Sequence, residues 1–184
     1  MIRAIDVLLA LLGLLFSLPL IFLLLILGWL DTRSPLFFQD RLGKNQRIFK
    51  LVKFRTMRPS TRSVATHLVD PTSVTRLGRF LRRSKLDELP QLWNVLCGDM
   101  SLVGPRPCLP SQKELVEPRS KRSVFDVRPG ITGLAQVRGV DMSTPDLLAQ
   151  IDQEMISNYG IRSYVRLLIL TLLGRGRGDR IIEK

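Results

Sequence analysis

At 184 residues, with 28 Lys and Arg against 16 Asp and Glu, the chain has the length of one domain and a net charge of +12. That is enough chain to bury a core, and the charge favours anionic partners such as lipid headgroups, nucleotides or nucleic acid. Cys97 and Cys108 form no CxxC pattern and His67 is the single histidine, so a disulfide scaffold and a zinc centre are excluded; both cysteines are expected to be buried and structural, and His67 to lie in a solvated loop.

From Val7 to Leu30 no charge interrupts the 24-residue run VLLALLGLLFSLPLIFLLLILGWL, long enough to cross a hydrocarbon core of about 30 Å as one helix. Arg3 is offset by Asp6 and no small-x-small site follows, which argues against a cleaved signal peptide. Between Asp31 and Arg58 there are eight basic and two acidic residues. This charge marks that flank as cytoplasmic and suits it to anionic lipid. Pro19 removes a hydrogen bond near the middle of the run and predicts a kink there. Each half is then roughly 18 Å long, too short to cross alone, and Ser17 supplies a local donor for a freed carbonyl. A kinked spanning helix and a re-entrant one are equally open on these grounds.

Two short strands are expected at Pro35 to Arg41 and Arg47 to Phe54 around a turn at Gly43 to Gln46. Ser60 to Ser73 is rich in Ser and Thr and reads as a mobile loop. Thr75 to Arg83 has the pattern of a basic amphipathic helix with Leu77, Phe80 and Leu81 inward, ending at Arg82.

The richest stretch is Arg82 to Pro107, RRSKLDELPQLWNVLCGDMSLVGPRP. Leu89, Leu92, Trp93 and Leu96 recur at helical spacing, and Gly98 stands where a glycine ends a helix. With Asp87 as N-cap, Pro90 falls in the first turn, where its missing N–H costs nothing. Asp followed by Glu at a helix start is ordinary capping chemistry. Arg82, Arg83 and Lys85 upstream and Arg106 downstream are more than a cap requires. They can hold phosphate oxygens while a carboxylate attacks. Adjacent residues on a helix point about 100° apart, so Asp87 and Glu88 are expected to do different jobs, one attacking and the other orienting, handling a proton or helping to hold Mg²⁺. Pro105 and Pro107 fix the backbone on either side of Arg106 and place its guanidinium rigidly.

Ser111 to Ser123 reads as a surface helix or loop interrupted at Pro118, and Pro129 and Gly130 as the centre of a type II turn beside Arg128. Thr144 and Pro145 open an acidic helix that contains Asp152 and Glu154. Tyr164 to Gly174 is apolar but too short to span, so it is expected in the interface or under the core. The tail RGRGDRIIEK reads as disordered or lipid-facing.

The segment LDELPQLWNVLCGDMSLVGPRP, preceded by KFRTM at Lys53 to Met57 and followed by RPGITGLAQVRG at Arg128 to Gly139, resembles the small bacterial monotopic phosphoglycosyl transferases, the PglC-like sugar transferases. The resemblance covers nearly the whole chain. It implies transfer of a phospho-sugar from a UDP-sugar to a polyprenyl phosphate such as undecaprenyl phosphate, with Mg²⁺, at the cytoplasmic face of the bacterial inner membrane. It implies Asp87 as the nucleophile and Glu88 as its partner, both near the metal. Arg82, Arg106, Arg128, Lys53 and Asp152 would serve phosphate or substrate binding. It also implies a re-entrant helix turning at a Ser-Pro pair, although here Leu18 separates Ser17 from Pro19. The expected fold is α+β and mainly helical: a monotopic membrane protein with a re-entrant anchor at 1–31 and, at 32–184, a catalytic domain with a small β-hairpin and interfacial amphipathic helices.

Two other readings suit parts of the pattern. A non-enzymatic tethered binder of nucleic acid or anionic lipid fits the charge, but few aromatics lie outside apolar segments and no nucleic-acid motif is present, so nucleic acid is not expected as a partner. A phosphatase with an Asp nucleophile differs in using water as acceptor.

Overall fold

A computed structural model describes residues 1–61 and 70–174. Most of the expected Ser60 to Ser73 loop, His67 and the C-terminal tail lie outside the described residues. Helix α1 (Ile2–Thr32) is followed by an antiparallel hairpin of β1 (Leu36–Leu42) and β2 (Ile48–Phe54), with Leu36 opposite Phe54 and Leu42 opposite Ile48. The strands and turn fall where the sequence predicts them. Asn45 and Gln46 take positive φ of 54° and 58° to close the turn.

Helices α2 (Arg76–Ser84), α3 (Gln91–Cys97), α4 (Lys113–Lys121), α5 (Leu134–Arg138), α6 (Pro145–Ser157) and α7 (Ile161–Leu172) follow. A parallel pair, β3 (Ser101–Val103) and β4 (Gly130–Thr132), ties the middle of the chain together, with Ser101 opposite Gly130. Met100, Val103, Val95, Ala10 and Tyr164 form its buried centre.

Both limbs of α1 return to this one domain. At the N-terminal end the Asp6 carboxylate accepts hydrogen bonds from Ser101 Oγ (2.9 Å), Leu102 N (2.8 Å) and Tyr164 Oη (2.6 Å). Arg3 donates to the Leu96 carbonyl at 3.1 Å. At the C-terminal end Leu24 packs in a cluster with Phe54 and Leu81. Between the limbs Leu15, Phe16 and Leu18 are exposed, and Ser17 Oγ donates to the Gly13 carbonyl at 2.6 Å. A helix of 31 residues is about 46 Å long if straight and could cross a bilayer. Both of its ends dock on one domain, which is consistent with a monotopic arrangement.

Several expectations need correction. The stripe Leu89, Leu92, Trp93 and Leu96 is not the buried face of α3: Gln91, Asn94 and Val95 are buried, while Trp93 is 58% exposed. Asn94 explains the inversion, since its Nδ2 donates to the Lys50 carbonyl (2.8 Å) and its Oδ1 accepts from Val52 N (3.0 Å), stitching α3 to β2. The apolar stripe is left for α1, where Leu92 lies against Gly13. Phe80 likewise points outward, although Leu81 is buried. Cys97 is exposed and only Cys108 is buried.

Helix α4 continues through Pro118, with Leu115 and Arg119 buried on either side. Pro129 and Gly130 form no type II turn, because that turn needs a positive φ at Gly130, which opens β4 instead. What requires glycine is close approach: a Cβ on Gly130 would stand 2.0 Å from the Gly104 nitrogen. Tyr164 to Gly174 is helical through Leu172, with Tyr164 and Leu167 buried and Val165, Ile169 and Leu172 exposed, as an interfacial helix requires.

Candidate active site

Asp87 is not an N-cap. A 3-10 turn, Leu86–Glu88, precedes α3 and follows Lys85, whose φ is 58°. The cause is Pro90: without an N–H it cannot bond the Leu86 carbonyl, which instead accepts from Leu89 N at 3.2 Å. This tighter winding puts Asp87 inward at 8% exposure and leaves Glu88 at the rim.

Glu88 Oε1 pairs with Arg106 Nη2 at 2.8 Å and with Lys53 Nζ at 3.2 Å. Arg82 is steered by Thr56, whose Oγ1 accepts from its Nε at 2.8 Å. Lys53 from β2, Arg82 from α2 and Arg106 from the Pro105–Pro107 turn all act on Asp87, so three elements distant in sequence converge on it. Burial nonetheless dominates. It lifts the Asp87 carboxyl to about 6, with the Glu88 charge adding to the rise and the three cations opposing it. Among the acids here, Asp87 is thus held with a perturbed proton affinity while its neighbour is ion-paired, a division of roles that adjacent carboxylates at a working site commonly show.

Arg128 and Asp152 sit elsewhere. Arg128 Nε donates to the Gly98 carbonyl at 2.8 Å, at the far end of α3, and its charge is not among those acting on Asp87. Asp152 is 1% exposed and its Oδ2 accepts from both Nε (3.0 Å) and Nη2 (2.6 Å) of Arg119. The carboxylate therefore faces a buried guanidinium instead of an incoming anion. Arg119 in turn donates from Nη1 to the Arg106 carbonyl at 2.8 Å, so Asp152 touches the site through two intermediaries.

Sequence reasoning overlooked Thr56, Arg119 and Gln91. Gln91 is 1% exposed and, among the described residues, its Nε2 is a buried nitrogen without a hydrogen-bond partner. Asp87, Gln91 and Asn94 recur at i, i+4 and i+7, a polar stripe that helical periodicity applied to polar residues would have found. Nothing in the spacing of Arg119 singles it out.

Among the described residues no cluster of three or more His, Cys, Asp or Glu is poised for a metal ion. Two hard carboxylates are what Mg²⁺ commonly takes from a protein when phosphates and water fill its other positions, so Asp87 and Glu88 fit that ion in the company of an anionic substrate.

The profile of the bacterial sugar transferase family matches residues 1–175. The chain is 40% identical over 92% of its length to an undecaprenyl-phosphate glucose phosphotransferase of Komagataeibacter xylinus, covering 35% of that protein. It is 38% identical over 90% of its length to the UDP-glucose:undecaprenyl-phosphate glucose-1-phosphate transferase of Xanthomonas campestris pv. campestris, covering 37% of it. Against the exopolysaccharide production protein PSS of Rhizobium leguminosarum bv. phaseoli it is 37% identical, over 96% of each chain. The chain thus spans about a third of the length of several relatives it matches and nearly all of another. A match that takes in α1, the Asp87–Glu88 turn, the Pro105–Pro107 turn and α7 alike leaves one conclusion: the chain belongs to the bacterial sugar transferase family.

Proposed function

We propose that the chain is a phosphoglycosyl transferase that moves a sugar phosphate from a UDP-sugar to undecaprenyl phosphate at the cytoplasmic face of the bacterial inner membrane. The observation that carries this is the convergence of Lys53, Arg82 and Arg106 on a buried Asp87, in a domain that holds both ends of a long apolar helix. The names of the two undecaprenyl-phosphate transferases among the relatives support the lipid acceptor, and one of them names UDP-glucose as donor. The basic residues from Arg33 to Arg58 favour the cytoplasmic face, where nucleotide sugars are found.

In the first half-reaction an oxygen of the Asp87 carboxylate attacks the sugar-bearing phosphorus of the UDP-sugar. The bond from that phosphorus to the bridging oxygen breaks, and UMP leaves with the electron pair. In the second, a phosphate oxygen of the lipid attacks the same phosphorus. The Asp87 carboxylate departs and the lipid diphospho-sugar is formed. Arg82 and Arg106 hold phosphate oxygens, and Lys53 with Arg106 keeps Glu88 oriented beside the reacting acid. Asp87 and Glu88 would hold Mg²⁺, which when bound supplies charge stabilisation at the phosphates.

The test is UMP release from a panel of UDP-sugars with and without undecaprenyl phosphate, together with mass spectrometry of the protein. A sugar-phosphate adduct on Asp87 and lipid-dependent turnover are expected, both lost in Asp87→Asn. Normal turnover by Asp87→Asn refutes the nucleophile. Release of inorganic phosphate or sugar phosphate without lipid would make the protein a phosphatase, and no release at all would leave a tethered binder of anions.

A further inference from the structure

Between Pro105 and Cys108 every backbone carbonyl is taken by a donor from another part of the fold. Gly130 N donates to the Pro105 carbonyl and Leu42 N to that of Cys108, each at 2.9 Å. The two carbonyls between them are taken by guanidinium groups: Arg119 Nη1 reaches that of Arg106 at 2.8 Å and Arg41 Nη1 that of Pro107 at 2.9 Å. The two arginines share one plan. Arg119 Nε and Nη2 are held by Asp152 Oδ2, as described above, and Arg41 Nε and Nη2 donate to Gln39 Oε1 at 3.1 and 2.6 Å. All four side chains belong to buried residues: Arg119 and Asp152 are each 1% exposed, Arg41 6% and Gln39 9%.

Stability alone does not require this arrangement. Burying an ion pair sacrifices hydration that the attraction only about recovers, and apolar residues of similar volume are commonly as stable. What a planar fork supplies and apolar packing does not is direction: with two nitrogens fixed on a post, the third N–H can meet a carbonyl in one orientation only. Neither Arg41 nor Arg119 is among the charges that chiefly act on Asp87. Both instead end on the three-residue turn whose middle side chain, Arg106, pairs with Glu88.

We propose that Arg41 and Arg119 are positioning residues, two clamps that fix the Pro105–Pro107 turn from below so that Arg106 meets Glu88 and the donor's phosphate, with Gln39 and Asp152 as their posts. The proposal deepens the transferase reading and rests on it for the role of Arg106. Asp152 therefore serves the reaction through the backbone of Arg106, which explains a buried acid in helix α6 that touches no other part of the site.

The experiment is a double-mutant cycle in the full membrane-bound chain. Arg119→Lys and Arg41→Lys keep the charge and lose the fork. Each is expected to lower kcat/KM for the UDP-sugar by about ten- to a hundredfold, the scale of a misplacement near 1 Å. In an Arg106→Ala background the same changes should alter the residual rate by less than about twofold, because the side chain they position is gone. Equal losses in both backgrounds, or no loss in the otherwise native chain, overturn the proposal. If Arg119→Lys fails to fold, Arg41→Lys runs the same cycle. Hydrogen exchange provides a readout independent of activity. The amides of Gly104, Arg106, Cys108 and Leu109 should exchange faster in the lysine variants while those of α3 do not; unchanged exchange overturns the clamps. An unaltered chain that releases no UMP would refute the transferase reading, and the exchange result would still decide the clamps.

Discussion

Glu88 with Arg106 and Asp152 with Arg119 are two acid–arginine pairs joined through one residue, since Arg119 also holds the Arg106 carbonyl. They differ in water. The Glu88 and Arg106 side chains are 14% and 12% exposed, those of Asp152 and Arg119 2% and 1%. A pair at the rim can exchange one partner for a phosphate oxygen at small cost, because water and the substrate offer alternatives. A pair sealed inside has no alternative, so it can only hold. One chemistry thus serves as a movable contact at the surface and as a fixed post beneath it.

The most drastic way to break that comparison is Asp152→Ala, which strands the Arg119 charge in the interior. A loss of about 3–5 kcal/mol in unfolding free energy is expected, read as a drop in the thermal or urea midpoint in detergent. Glu88→Gln should lower the same midpoint by less than Asp152→Ala does, since Gln keeps a hydrogen-bonding group and water reaches the rim, while removing most activity. If the two substitutions destabilise equally, the rim and the interior do not differ as argued.

Next in size is Gly104→Ala. A Cβ there would stand 2.5 Å from the Arg128 carbonyl oxygen and 2.7 Å from Gly130 N, and both contacts are backbone that cannot swing aside. Overpacking of this kind costs about 1–3 kcal/mol or more. Because Gly104 leads into Pro105, activity should fall further than stability does. A variant with native activity would show that the turn can shift without consequence.

Asp87→Asn is expected to act in the opposite direction on stability. In the folded chain Asp87 keeps its proton up to about 6, whereas an unfolded chain releases it near the usual 3.8. Between those values the folded state binds more protons, so Asp87 lowers stability as pH rises from 3.8 to 6 and the loss persists above. Removing the charge should therefore stabilise the protein by up to roughly 3 kcal/mol at pH 8 without divalent cations, and by almost nothing below pH 3.8. Unfolding midpoints of both forms at the two pH values check the sign. The same ionisation gives kcat/KM an acid limb, with activity rising as pH rises through it, and a divalent cation held by Asp87 moves that limb to lower pH.

How much of this was legible in the sequence follows from range and solvent. Local patterns held: the hairpin, the Pro145 start of α6 and the apolar anchor all rest on short-range periodicity and on Pro or Gly punctuation. The charge pattern of Arg82 to Pro107 groups Arg82, Glu88 and Arg106 with Asp87, the family resemblance adds Lys53, and the structure brings all four to Asp87. The clamps were not legible: Gln39 and Arg41 share a face of β1, but the meeting of Arg41 with Pro107 and of Arg119 with Asp152 and Arg106 comes only through tertiary packing. The turn at Pro129 failed for a related reason: the pairing of β4 with β3 outweighed a local dipeptide preference. The wrong face was chosen for α3 because an apolar stripe was read as a core stripe in a protein with two apolar phases to face.

That last error gives the gentlest test. Trp93 is 58% exposed and Phe80 58%, on the two helices that flank the active turn, and Ile169 is 50% exposed on α7. If these side chains meet lipid, Trp93 lies at headgroup depth, the level that suits an indole ring with an apolar body and a polar N–H. The chain has 2 tryptophans, so Trp29→Phe leaves Trp93 as the sole indole reporter. Its emission should be quenched by lipids brominated near the carbonyl end of the acyl chain and much less by water-soluble iodide. Trp93→Ala should move the unfolding midpoint by no more than about 0.5 kcal/mol, since little protein packing is lost. Strong iodide quenching would put Trp93 in bulk water and lift the Leu86–Glu88 turn that precedes its helix away from the headgroup plane where a lipid phosphate must enter.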